Sequence, residues 1–353
     1  MTDCLYFTLL NRVAELSKYD IFVITGNEPK LFPYLKDSRL RKILKIPQLI
    51  ISHIELGQKI LKDRHRDAVL IHGFSTEFLI FTYVFSLFWT KNVYILPHHN
   101  IQQAFYNPIL RLMFKIYHFF GYKFLVNEGS LFLKNLGFSE QEINQHISFL
   151  FPVERIDLSS LFISDAVIIQ LNSNKVKKKK VGLVGRVRQE KKSGRTLDLL
   201  LKLQKKLDFL LIIGTNDFSS FSQINLDEAE LVNTSSKDKY FAVLTSCDII
   251  VLNYEESKYF YRTSGVAADA IGARTYVVCP NFPMMSNQLN YPTQVGILYD
   301  DESDLEMAIK QALELVPPLE NTAFESHYAE RSIENLSLIL TNDIESRITL
   351  NRQ

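Results

Sequence analysis

The sequence predicts an α/β fold in which parallel strands are joined by crossover helices. Two observations carry this expectation. Strand-like and helix-like apolar periodicities alternate along the whole chain. At 353 residues the chain is also long enough for two domains with independent cores. The chain opens on an apolar, helix-like stretch over residues 4–16, and strand signals follow at 19–25, 68–71, 93–96 and 124–127. The apolar run over 78–89 is too short to cross a bilayer and reads as a buried helix. A helix over 130–136 is expected to end at Gly137. Residues 158–180 carry no strong helix signal and finish in four lysines, Lys177 to Lys180, so they read as an interdomain connection with a solvated edge. In the second half a strand over 181–184 precedes a leucine-rich helix over 196–207. Strands follow at 210–214, 249–252 and 275–278. A short strand from Gly296 then leads through an acidic turn into a capped helix, and beyond Pro317-Pro318 a last helical stretch runs over about 323–341.

Composition narrows the function classes. Lys and Arg number 40 against 39 Asp and Glu, a net charge of +1, so no global basic field points to nucleic acid. Cys4, Cys247 and Cys279 are scattered without metal-ligand spacing, and the latter two read as small core residues of a protein in a reducing cytoplasm. The opening residues lack the basic and apolar regions of a signal peptide, which adds to the cytoplasmic expectation.

Two segments carry chemistry. In the first, the 181–184 strand runs directly into Gly185 and Arg186, with Lys191 five positions later. A glycine at the carboxyl end of a parallel strand lets the backbone approach a ligand, and two cations across the following loop can clamp a diphosphate. Neither G-x-G-x-x-G nor G-x-x-x-x-G-K-[ST] is present. In the second segment, Arg262 is followed by Thr263, then by Ser264-Gly265-Val266, which reads as a helix start whose unpaired amides can receive phosphate. Asp269 falls in the first turns of that helix, where the helix N-terminus is expected to keep it ionised at neutral pH.

These segments, with the strand ending in Gly214 and Cys247-Asp248 ahead of another strand, occur in the order and spacing found in the retaining nucleotide-sugar glycosyltransferases of family four, which the chain resembles over residues 180–312 and more loosely before them. The resemblance implies the GT-B fold of two Rossmann-like domains. It divides the chain into residues 1–160 as the acceptor-side domain, 161–320 as the nucleotide-sugar domain, and a C-terminal helix over 321–353 returning to the first domain. It implies donor contacts from Gly185, Arg186, Lys191, Gly214, Arg262, Ser264, Gly265 and Val266, metal-independent transfer with no cofactor, and a UDP- or GDP-linked hexose donor. Pro97-His98-His99-Asn100 resembles the family's strand-end His-Asp, which carries the donor-facing role onto His99, with His98, Asn100 and the strand-end His72 as further cleft residues. A structural role for either strand-end histidine is the alternative reading. No Cys or carboxylate cluster accompanies them, so a zinc site is not expected.

The chain departs from the family at two places. It opens on a helix-like stretch instead of a strand and glycine-rich loop, unless residues 19–26 take their place. Of the family's two glutamates, the second falls on Asp269 and the first on Tyr261, with Glu255 or Glu256 as substitutes if the loop carries an insertion. Retention of configuration therefore stays open. The expected function is sugar transfer to an acceptor hydroxyl of a sugar, lipid-linked molecule or protein, in polysaccharide or glycoconjugate assembly. The alternatives are a weakened binding module of the same fold and a sugar-nucleotide epimerase. Residues 107–123 add a helical pattern rich in Phe and Tyr with Arg111, Lys115 and Lys123. That pattern suits either a core-facing helix with surface cations or a peripheral contact with the inner face of a membrane.

Overall fold

The structure, a computed structural model, describes residues 2–25, 38–97, 100–157, 178–222, 224–315 and 321–352. The chain forms two compact units, one of Met1–Leu150 with Ile333–Gln353 and one of Phe151–Ser332. His98, His99, Gly26, Pro317, Pro318 and most of the expected connection lie outside the described residues.

Among the described residues of the first unit, β1 (Ile21–Thr25), β2 (Ala68–His72), β3 (Val93–Leu96), β4 (Lys123–Asn127) and β5 (Ile147–Phe149) form one parallel sheet in chain order. Every residue of β2 and β3 is buried, which is why both read as unbroken apolar runs: helices cover both faces of a parallel sheet. The opening helix-like stretch is a helix, Thr2–Leu16, packed on the C-terminal helix Ile333–Leu350. Glu345 anchors the pair by accepting from the Ser17 hydroxyl at 2.9 Å and the Lys18 amide at 2.7 Å.

The unit limits differ from the sequence expectation. The first unit ends at Leu150 instead of 160, and the single last helix expected over 323–341 is two helices that meet at Ser332. The earlier one, Asn321–Arg331, belongs to the second unit because its side chains satisfy carbonyls there. Tyr328 donates to Ile271 and Gly272 (3.1 and 3.0 Å), and the Arg331 guanidinium donates to Asn287 and Tyr291 (2.8 and 2.9 Å).

In the second unit the described strands are β6 (Lys180–Val184), β7 (Leu210–Thr215), β8 (Glu230–Asn233), β9 (Ile249–Val251), β10 (Tyr276–Pro280) and β11 (Gly296–Tyr299). They pair in the order β11-β10-β9-β6-β7-β8, all parallel. β8 has no counterpart in the sequence expectation, since only Val232 of its four residues is buried. Leu197, Leu200 and Leu203 of the helix Ser193–Leu207 cover Leu211 and Ile213 on one face. Val243 and Leu244 of the helix Lys237–Ser246, with Ala267 and Ala270, cover Ile212 and Ile250 on the other. Winding outward from β6 in both directions opens a crevice at the carboxyl ends of β6 and β9, where side loops part and open α/β sheets take their ligands.

Candidate functional site

A cleft lies at that switch point. Gly185, Arg186 and Lys191 line it from the loop after β6, Ser193 from the next helix, and Asn253 and Tyr254 from the loop after β9. Gly185 has φ +117°, a region closed to residues with a Cβ, and its amide donates to Gly214 at 2.8 Å. A side chain built there would begin 3.5 Å from the Lys191 ammonium and 3.6 Å from Val266, so the ammonium and the second helix start both face this glycine. The loops are tied together where the Glu255 amide donates to the Glu190 carbonyl at 2.8 Å.

Lys191 is a half-buried cation among cations. Its Nζ stands 5.8 Å from the centre of the Tyr254 ring, which stacks at 4.0 Å on Tyr259. The Arg262 guanidinium lies 5.0 Å from the other tyrosine's ring centre. Burial, followed by the positive charge of Arg188, with Arg262 and Arg186 adding to it, brings the Lys191 ammonium down to a pKa of about 8, against the opposing pull of Glu190. A pocket with this surplus of positive charge favours an anion.

The helix Gly265–Gly272 presents its start to the same place. Ser264 caps it, its hydroxyl accepting from the Ala267 amide at 3.1 Å and sharing a hydrogen bond with the Tyr254 hydroxyl at 3.0 Å. The Ser264 amide itself donates to Gln288 at 2.8 Å, so it is not one of the phosphate donors that the sequence suggested. Helix geometry leaves the Gly265 and Val266 amides without intrahelical partners. Gly214 serves packing: a Cβ there would come within 3.0 Å of Val243, so its absence lets the helix Lys237–Ser246 close on β7.

Asp269 stands apart from the cleft lining. It accepts from the Tyr240 hydroxyl at 2.9 Å, and burial raises its pKa to about 6, a move opposite to the one expected from the helix N-terminus. Desolvation outweighs the dipole because the carboxylate lies between two helices and not at the helix end. Tyr261, where the family's first glutamate would fall, is buried with its ring 4.8 Å from Phe260. Glu255 stands at the start of the short helix Glu256–Tyr259 without a capping bond from its side chain, and it accepts from the Ser257 hydroxyl. In the first unit, His72 does sit at the carboxyl end of β2, but it is buried under the Tyr6 ring at 5.7 Å, and the Tyr6 hydroxyl accepts from Asn127 at the end of β4. Asn100 begins the helix Asn100–Tyr106. Among the described residues, no three His, Cys, Asp or Glu side chains converge as a metal site would require.

Sequence reading missed Asn253, Tyr254 and Ser193. The first two follow β9 directly, and a strand-end position beside β6 is the signal that could have found them. Ser193 was missed because the helix begins three residues ahead of its apolar pattern.

No known family profile matches the chain, and no curated relative does. Its fold does match solved structures. Sucrose-phosphate synthase from Thermosynechococcus elongatus is 15% identical with a TM-score of 0.64, covering 98% of this chain and 93% of that one. A glycosyltransferase from Rickettsia africae is 12% identical with a TM-score of 0.61, covering 97% and 94%. Anabaena HepE in complex with UDP is 11% identical with a TM-score of 0.60, covering 92% and 99%, and it is also known in complex with UDP-glucose. The two parallel α/β sheets of this chain therefore have the GT-B fold of two Rossmann-like domains.

Proposed function

We propose that the chain is a nucleotide-sugar glycosyltransferase, in which the second unit holds the donor's diphosphate at the carboxyl ends of β6 and β9. One observation carries this reading: the Lys191 ammonium, the Gly185 backbone and the start of the helix Gly265–Gly272 converge, with Arg186, Arg188 and Arg262 adding charge. When a sugar leaves its nucleotide, negative charge grows on the diphosphate. Cations and helix amides fixed in place stabilise that charge without reorganising at the moment of reaction. HepE, a neighbour of the same fold in complex with UDP and with UDP-glucose, supports a nucleoside diphosphate as the ligand. A hexosyl donor and a sugar, lipid-linked or protein acceptor complete the reading, with the cytoplasm as its compartment. Among the described residues no helix is long and apolar enough to cross a membrane.

A second reading, a binding module of the same fold with weakened chemistry, is favoured by the buried Tyr261 at the first glutamate's position. Calorimetric titration with UDP and GDP, followed by assays with their sugars, decides. Binding together with transfer to water or an added acceptor supports the transferase. Interconversion of donor epimers replaces it with an epimerase, and binding without either reaction leaves the module. Failure to bind any nucleoside diphosphate overturns all three.

A further inference from the structure

The first unit exposes large apolar side chains along one face. The helix Pro108–Phe119 is capped by Asn107, which accepts from the Ile109 and Leu110 amides, and its buried side is set by Leu110, Phe114 and Tyr117. Its opposite side is apolar too. Ile109 is 70% exposed and Phe119 85%, with Leu112 exposed between them and Met113 and Ile116 half-buried. A helix that needs only one face for its core has no use for a second apolar stripe in water.

The stripe continues onto the neighbouring segment. Tyr83 stacks on Phe120 at 4.0 Å and meets Phe88 edge-on at 5.1 Å, which joins the end of this helix to the turn after the helix Leu79–Phe85. In that turn Leu87 and Phe88 have φ +52° and +62°, yet their side chains remain 64% and 61% exposed. Bulky residues seldom adopt this left-handed conformation, and here it holds two apolar side chains outward instead of burying them. Val84 and Phe85 are exposed beside them.

Charge says what covers this face. Residues 79–123, from which this face is drawn, carry four Lys or Arg and no Asp or Glu, in a chain whose net charge is +1. Lys91 is exposed directly after the turn, and Arg111 and Lys115 flank the stripe, the former donating to the Phe105 carbonyl and the latter to the Gly137 carbonyl. A protein partner for so positive a surface would have to be acidic as well as apolar. An anionic bilayer offers both properties at one interface.

We propose that this face of the first unit docks on an anionic lipid bilayer, with Leu87, Phe88, Ile109, Leu112 and Phe119 entering the interface and the basic residues facing the head groups. This surface belongs to the first unit and the nucleotide cleft to the second, so the two assignments stand or fall apart. The full-length chain is sedimented with vesicles of phosphatidylcholine alone and with vesicles containing phosphatidylglycerol as well. Binding is expected only to the anionic vesicles and is expected to weaken as salt is added. The double variant Leu87→Asn, Phe119→Ser removes exposed side chains and is expected to lower the vesicle partition coefficient by about tenfold or more. Nucleoside-diphosphate affinity of the same variant, measured by calorimetry, is expected to be unchanged, which shows that the fold is intact. Absence of binding to anionic vesicles at low salt overturns the proposal, as does equal binding by the variant. A wild type that is dimeric by light scattering and bypasses vesicles, with a monomeric variant, would assign the face to a second copy of this chain instead.

Discussion

At the scale of single residues, Lys191 is held where its charge is disfavoured, and this ties binding to stability. Its folded pKa of about 8 lies below the ordinary 10.5, so the unfolded chain keeps its proton more readily. The group therefore costs stability below about pH 8, and the cost declines as pH rises toward 10.5. Lys191→Met is expected to raise the melting temperature of the ligand-free protein at pH 7, by the equivalent of about 1–3 kcal/mol. The same change is expected to weaken nucleoside-diphosphate binding by about 1.5–3 kcal/mol, the scale of charge-assisted hydrogen bonds. A bound diphosphate raises the lysine's pKa again, so wild-type affinity should be level below about pH 8 and fall as pH rises beyond it. Titrations of both proteins from pH 6 to 10 check this, since the variant should lack that fall. Asp269 presents the reverse case. Its folded pKa of about 6 exceeds the ordinary 3.8, so its contribution to stability is present below pH 4 and lost as pH rises through 6. Asp269→Asn keeps an acceptor for Tyr240 and removes the buried charge, so at pH 7 it is expected to melt at or above the wild-type temperature with unchanged nucleotide affinity. A tenfold loss of affinity, read by calorimetry, would instead put this carboxylate on the ligand.

At the scale of elements, the helix Asn321–Arg331 is held by a side chain that sequence patterning hides. Arg331 is 0% exposed, and it supplies hydrogen bonds to the carbonyls of Phe151, Asn287 and Tyr291. Arg331→Met leaves those acceptors buried without their donor and is expected to cost about 2–4 kcal/mol, measurable by urea unfolding. An unchanged midpoint would mean that water replaces the guanidinium. This residue also shows why the unit boundary was illegible in sequence. Pro317-Pro318 marks a break, but which core the next helix joins depends on carbonyls far away in the chain, and no local pattern encodes them. Most strands of the second sheet were legible because they are largely buried and apolar, as in Ile249–Val251, whereas β8 buries only Val232 and left no such signal. The place of Gly185 and Lys191 beside the cleft was legible because strand-to-loop position alone defines it. The orientation of Asp269 was not, since a residue one turn into a helix faces whichever neighbour packs there, and here that is Tyr240. The Ser264 amide was misjudged for a similar reason: its partner, Gln288, lies on another helix.

At the scale of the whole molecule, the two units have separate sheets. The first carries the concentrated positive charge of residues 79–123, and the second carries the cationic cleft. On the proposed reading the fixed cations of that cleft serve the leaving diphosphate, so transfer is expected to proceed in excess EDTA, and loss of activity with rescue by Mg²⁺ or Mn²⁺ would show that they do not suffice. The division also predicts how heat unfolds the chain. Each unit closes its own apolar core around its own sheet, so calorimetry is expected to resolve two transitions. A nucleoside diphosphate at a hundred times its dissociation constant adds about 2.7 kcal/mol to whatever folded unit binds it. That increment should move only one transition. Hydrogen exchange should assign the moving transition to the second unit, with new protection at amides of residues 183–193 and 252–266 and none in β1 to β4. A single transition would show that the units unfold together. Protection appearing equally in the first sheet would mean that the ligand acts on both, and the cleft at β6 and β9 would then be only part of its site.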